Sequence, residues 1–286
     1  MGNSPYYVDP DNGTDDAAHG DGSGSRAFKS LHFAVETLNG GPTGEYTLNL
    51  APGIYTFIEG EQDTPLVLNQ DMIIEGSGVI LDGSGNHGDN PTPWTTGLIL
   101  GPGAAHATLR GLTVQYFETG ILINTDGGCL YLENVSVEQC DTGLKIVDTY
   151  QTTVDLAGSR IQGNDRVGVH LTAGSSSNVI RYGEVSGNSG DGIRVESGDE
   201  VPDGNRFEGI QILDNARNGI IFYDGRDNVV TGCLISGNNT DSNGYGGVAV
   251  LEGGAAINWN TIENNGCHGV YADDIHAAAP IDAAYN

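Results

Sequence analysis

Ile161-Gln-Gly-Asn164-Asp-Arg-Val-Gly168-Val-His-Leu171, Val185-Ser-Gly-Asn188-Ser-Gly-Asp-Gly192-Ile-Arg-Val195 and Ile212-Leu-Asp-Asn215-Ala-Arg-Asn-Gly219-Ile-Ile-Phe222 are three copies of one phrase. Looser copies run from Ile235 through Asn238 to Gly247-Val-Ala-Val250, and from Ile262 through Asn265 to Gly269-Val-Tyr-Ala272. Between Leu109 and Tyr271 the phrase recurs at roughly 24 residues, a period that means stacked units unable to bury their apolar faces alone.

After each glycine the pattern is apolar-x-apolar: Ile121 and Ile123, Leu144 and Ile146, Val169 and Leu171, Ile193 and Val195, Ile220 and Phe222, Val248 and Val250. Alternation with period two is a strand half-buried on one side, so these residues are expected to point into a common core. The column Asn164, Asn188, Asn215, Asn238, Asn265 falls at a turn. Asn tolerates left-handed backbone there, and its amide can bond its neighbour in the next layer. Phe117 and Cys140 hold the same place in two earlier coils. Upstream, Phe28, Leu31, Val35 and Leu38 share one helical face and Asn39-Gly40 ends it, which predicts a helix closing the open first coil.

Coils of this length with three short strands, together with the opening Tyr6-Tyr-Val-Asp-Pro-Asp-Asn-Gly13-Thr-Asp15 and Ala51-Pro-Gly-Ile-Tyr55, resemble the right-handed parallel β-helix repeat proteins. That group includes pectate lyases, polygalacturonases, mannuronan C5-epimerases and many surface proteins. The resemblance implies an all-β fold, a right-handed parallel β-helix with an N-terminal capping α-helix. Residues 1–286 form one domain: a cap region over 1–50, irregular coils over 51–108 and regular coils over 109–286. It also implies a polysaccharide partner and an extracellular or cell-surface setting. Pro280-Ile-Asp-Ala-Ala-Tyr-Asn286 resembles the start of a further segment, so the chain is expected to be a piece of a longer one. The epimerase motif Tyr-Gly-Phe-Asp-Pro-His meets Tyr245-Gly-Gly-Val-Ala-Val250 here, without its Asp or His. The short polygalacturonase-like matches at Asn124-Thr-Asp126, Cys267-His268-Gly269 and Asp273-Asp274 stand in the wrong order. Hydrolase and epimerase activities are therefore less expected than β-elimination.

The net charge is −27, from 38 acids against 11 lysines and arginines. Such a surface repels nucleic acid and anionic membranes, and no apolar run is long enough to span a bilayer. The chain is expected to act as a monomer. The four cysteines show no paired spacing and read as free, mostly buried thiols.

Against that acidic background, the second residue after each coil glycine points outward, and in three adjacent coils it is Lys145, His170 and Arg194. Like charges in one row repel, which favours neutral His170 unless acids compensate. The row suits a polyanionic sugar. Arg194 would clamp a uronate carboxylate, Lys145 or His170 would act as base, and Tyr223, at the fourth position after the glycine of the following coil, would donate a proton. Glu196, Trp94, Tyr245 and Tyr271 are the expected substrate contacts, the aromatics by stacking on sugar rings. Ca2+ is the expected cofactor, held by Asp148 and Asp224 at the strand edge or by Asp9, Asp11 and Asp15 in the acidic N-terminal turn, where local hydrogen bonding is the competing use. Three uses of the row fit the pattern: a catalytic groove, a binding groove without catalysis, and an ordinary solvated face of a surface or spacer module.

Overall fold

The computed structural model describes residues 5–16, 26–57, 65–86, 96–240 and 244–273; Trp94 lies outside them. A full coil carries three strands, as in Thr153–Asp155, Arg160–Gln162 and Val167–Thr172. The third strands stack into one sheet, nine strands deep among the described residues, from Leu66–Leu68 to His268–Ala272. The first and second strands join in a seventeen-stranded sheet that bends through each coil's tight corner. Pairing is parallel and in register: Ile161 faces Val185, and Val169 faces Ile193, which faces Ile220. The protein is a parallel β-solenoid.

The core is the apolar column read from the phrases. Val169, Leu171, Ile193, Val195, Ile220, Phe222, Val248 and Val250 are all buried, and Phe207 meets Phe222 edge-on at 5.9 Å. At the first layer the helix Leu31–Asn39 starts on Ser30, whose hydroxyl accepts the Phe33 N–H at 3.2 Å. It packs on strand Leu66–Leu68 and puts Leu31, Ala34, Val35 and Leu38 into the same core. The segment read as a cap contributes more than a helix, because Tyr6–Val8 pairs with Leu48–Leu50 and so extends the sheet.

The asparagine column forms a buried ladder. Each amide nitrogen donates to the next layer's amide oxygen: Asn164 to Asn188 at 2.9 Å, Asn188 to Asn215 at 2.8 Å, Asn215 to Asn238 at 2.9 Å and Asn238 to Asn265 at 3.0 Å. That oxygen also takes the backbone N–H of the residue before it in the ladder. The left-handed backbone expected at these asparagines sits one residue earlier, at Gly163, Gly187, Asp214, Gly237 and Asn264. The asparagines stay in ordinary conformations, and their contribution is hydrogen bonding alone. The coil glycine makes room for them: a Cβ at Gly192 would lie 2.7 Å from Asn215 Nδ2 and 2.7 Å from Gly219 O. A second ladder, Asn178 to Asn205 to Asn228, stabilises the corner after the third strand.

All four cysteines are free; Cys140 and Cys233 are buried, and burial pushes their thiols up to about 12 and about 11. Among the described residues no helix is long and apolar enough to cross a membrane.

Two substitutions test this architecture. Ile193→Asp puts an unpaired charge into the core and is expected to cost several kcal/mol, about 3 or more, in chemical denaturation. Asn215→Ala leaves Asn188's two donors and a buried gap, and is expected to cost roughly 1–3 kcal/mol. Near-native stability for Ile193→Asp would refute the register of the third strand.

Candidate functional site

The ladders fix the third strands in register, and the register aligns the outward row. Lys145 pairs with His170 and His170 with Arg194, so the three Cα atoms follow each other at the ~4.8 Å layer spacing. The row is not an open solvated face. The side chains of His170 and Arg194 are only 14% and 16% exposed. In the next two layers, Ile221 and then Ala249 take the same outward column and are fully buried. The face therefore closes beyond Arg194, which alternation alone does not foresee.

Each cation has a distinct partner. Arg194 donates from Nε at 3.0 Å and Nη2 at 2.6 Å to one oxygen of Asp191, a wholly buried carboxylate. Asp191's other oxygen accepts from Asn218 N and Nδ2, and Asn218 Oδ1 in turn accepts the N–H groups of Tyr245 and Gly246. Burial works against the Arg194 charge, but the Asp191 hydrogen bonds outweigh it and hold the guanidinium above its ordinary pKa. The Arg194 guanidinium also lies 5.6 Å from the centre of the Tyr223 ring. Glu196, expected as a substrate contact, reaches His170, with 2.7 Å between Glu196 Oε1 and His170 Nε2. That approach is short but too far off-axis for a well-formed hydrogen bond, and Nε2 has no other partner. Burial, helped by Lys145 and Arg194 on either side, pushes His170 below the ordinary histidine pKa, and Glu196 only partly opposes this. Lys145 is half-buried and, among the described residues, its ammonium makes no ion pair or hydrogen bond.

Sequence reading missed Asp191 and Asn218. Both directly precede a coil glycine in adjacent layers, and an acid three residues before an outward Arg was the available signal.

The remaining candidates are scattered. Tyr245 and Tyr271 stack on each other at 4.5 Å, with His268 beside Tyr271 and its Nδ1 3.1 Å from Tyr245 O. Tyr271 sits three layers beyond Arg194 in the same column, across the closed stretch, and Tyr245 two layers beyond it, just before the strand of its coil. Asp148 is exposed, and Asp224 lies three layers away from it, so the two do not share an ion. Asp9 accepts from the N–H groups of Asp11 and Asn12 and from the Asn12 side chain, which lowers its pKa. Asp15 accepts from Lys29 N and Ser30 N, tying the turn to the helix start. No group of three or more His, Cys, Asp or Glu side chains placed to hold a metal exists among the described residues. Asp9 and Asp15 therefore support the turn and the helix start through these hydrogen bonds.

The parallel solenoid agrees with the sequence family described as right handed beta helix region, which matches residues 74–255. The chain belongs to that family. A search of curated protein sequences found no match. Among solved structures, the A-module of mannuronan C-5 epimerase AlgE6 from Azotobacter vinelandii is 19% identical, with a TM-score of 0.60 over 82% of this chain and 71% of that one. The AlgE4 A-module from the same organism is 18% identical, with a TM-score of 0.56 over 80% and 70%. Pectate lyase Pel9A is 16% identical, with a TM-score of 0.61 over 98% and 77%. At these identities the likeness is one of fold.

His170 gives the site a pH signature. Its unfolded pKa is near 6.5 and its folded pKa lower, so the unfolded chain binds the extra proton first as pH falls. The stability that neutral His170 contributes is complete above about pH 6.5 and is lost as pH drops through the folded value. His170→Asn is therefore expected to lose less melting temperature than the wild type between about pH 7.5 and pH 5. Parallel curves for the two proteins would contradict the burial of neutral His170.

Proposed function

We propose that the protein is an extracellular polysaccharide-active β-helix protein whose groove, along Lys145, His170 and Arg194, takes an acidic uronate glycan and cleaves it by β-elimination. The supporting observation is the half-buried cationic row itself: one of only two lysines, a histidine kept neutral and a guanidinium fixed by a buried acid, adjacent on a chain of charge −27. The printed activities of the pectate lyase and epimerases that share the fold agree with a glycan substrate.

In this reading Lys145 and the free edge of Arg194 hold the uronate carboxylate and stabilise the charge that develops as the adjacent C–H is broken. His170, neutral at physiological pH, takes that proton. The electron pair moves into the new C4=C5 double bond as the C4–O bond breaks, and the Tyr223 hydroxyl protonates the departing oxygen. A water then returns the proton from His170 to Tyr223. Glu196 orients the imidazole. Tyr245 and Tyr271 would contact the sugar chain beyond the closed stretch. Ca2+ belongs to the same proposal: Asp148 and Asp224, too far apart to share an ion, would each take one only together with a substrate carboxylate.

A second reading, a binding groove without turnover, is favoured by one observation: Asp191 already occupies two of Arg194's nitrogens and Glu196 already faces His170. A panel of acidic polysaccharides, with and without Ca2+, separates the two through the ultraviolet absorbance of the 4,5-unsaturated product. Turnover is expected in the wild type and lost in His170→Ala. Arg194→Ala is expected to weaken binding by about 1–3 kcal/mol. Binding without product selects the second reading, and equal affinity in wild type, Lys145→Ala and Arg194→Ala would leave the row as structural surface.

A further inference from the structure

A polar cleft lies where the second strands turn toward the third, on a different sheet from the cationic row. Register sets Glu138, Gln162 and Ser186 side by side in three adjacent layers, each half-buried and outward on its strand. The residue after each turns the corner with positive φ: Gln139 (54°), Gly163 (59°) and Gly187 (60°), and the next layer continues with Asp214 (53°). Such backbone favours glycine, yet the column also carries Gln139, Asp214 and Asn264, so conformation alone does not require a bare backbone at Gly163 and Gly187. Among the described residues nothing covers the backbone there: a Cβ built on either glycine would meet no atom of a non-neighbouring residue within 4 Å. A Cβ on Gly237 would strike the Asp214 carboxylate, so Asp214 reaches over the layer beyond it and away from Gly187. The row Glu138-Gln162-Ser186, the two glycines and Gln139 line a cavity of about 360 Å³. That volume lies within the roughly 300–1,000 Å³ of small-molecule sites.

The hydrogen bonds along the cleft define its ligand. Glu138 Oε2 accepts from Ser136 Oγ at 2.7 Å and from Gln162 Nε2 at 2.9 Å, and Ser186 Oγ donates to Glu184 Oε1 at 2.6 Å. Gln162 Nε2 also reaches Ser136 Oγ at 3.3 Å. These bonds consume donors. What they leave open, among the described residues, are acceptors: Glu138 Oε1, Gln162 Oε1 and the remaining lone pairs of Ser186 Oγ. Arg160, on the strand of Gln162, pairs with Glu184 at 3.4 Å, and among the described residues Glu138 has no cationic partner. Fixed acceptors beside an uncovered floor take a ligand rich in hydroxyl donors, and the Glu138 charge turns away a uronate. Three layers span two steps of the ~4.8 Å spacing, about 10 Å, which suits a stretch of extended sugar chain better than a single ring. We propose that this cleft binds a neutral, hydroxyl-rich oligosaccharide along the solenoid axis, independently of the cationic row.

The probes are cellohexaose, xylohexaose and mannohexaose, titrated by calorimetry, with hexagalacturonate as the charged contrast. At least one neutral probe is expected to bind, and hexagalacturonate is expected not to displace it. Glu138→Ala and Gly163→Asn are each expected to weaken that probe at least tenfold. The first removes the charged acceptor. The second lays a side chain over the Gly187 floor at a φ that Asn264 already adopts in the same column, so the melting temperature is expected to stay close to that of the wild type. Arg194→Ala is expected to bind the neutral probe as the wild type does. The proposal is overturned if none of the three neutral probes binds or if either folded cleft variant keeps wild-type affinity. Loss of the probe in Arg194→Ala, or its displacement by hexagalacturonate, would place that sugar in the cationic row and overturn it equally. Should Gly163→Asn fail to fold, Glu138→Ala decides alone.

Discussion

The buried amide ladder is the interaction on which the rest of the structure depends. A solenoid coil has no intrinsic reason to stop its strands slipping past those of the next layer, and a slip of one residue would exchange core and surface. The ladder removes that freedom. Each asparagine oxygen receives two donors from the layer before it, in a buried site where an unmade bond is expensive. The coil glycine completes the device, since any side chain at Gly192 would collide with the Asn215 amide. Once register is fixed, the outward residues of neighbouring layers can be nothing other than a straight row, and Lys145, His170 and Arg194 follow.

The same rigidity explains the chemistry of the row. Its members cannot move apart to relieve repulsion, so the strain must be met locally. Arg194 is met by Asp191, which is buried and in turn tied through Asn218 to the backbone of Tyr245 and Gly246. His170 is met less well, by an off-axis Glu196, and stays neutral. A fixed cation beside a neutral imidazole is an arrangement that proton abstraction next to a carboxylate would use.

Most of the fold was legible in the sequence because the repeat is long and each copy states the same register: the core columns, the ladder partners and the alignment of Lys145, His170 and Arg194 all follow from spacing. What escaped depends on neighbours that spacing does not name. The turn position was assigned to the ladder asparagines, although the left-handed residue precedes them and is sometimes Asp214 or Asn264 rather than glycine. Asp191 was passed over in an acidic chain, although it stands three residues before an outward Arg, and its full burial is a property of its neighbours rather than of its spacing. Ile221 and Ala249 alternate outward like solvated residues, yet are sealed. Of the proposed aromatic contacts, Tyr245 and Tyr271 stack together, but away from the cationic row.

The two ladders also show where this fold tolerates novelty. From Asn178 to Asn188, from Asn205 to Asn215 and from Asn228 to Asn238 the chain takes the same ten steps, through the first two strands. The total spacing between ladder partners nevertheless changes, with 24, 27, 23 and 27 residues separating successive members. All of that variation falls in the corners on either side of the third strand, after Gly192 and Gly219 and before Gly247. Insertions and deletions can therefore accumulate along both rims of the cationic row while the first two strands of these coils keep one length. For a protein engineer, those rims are the grafting sites: loops exchanged there would reshape the walls of the groove and leave the amide ladders untouched.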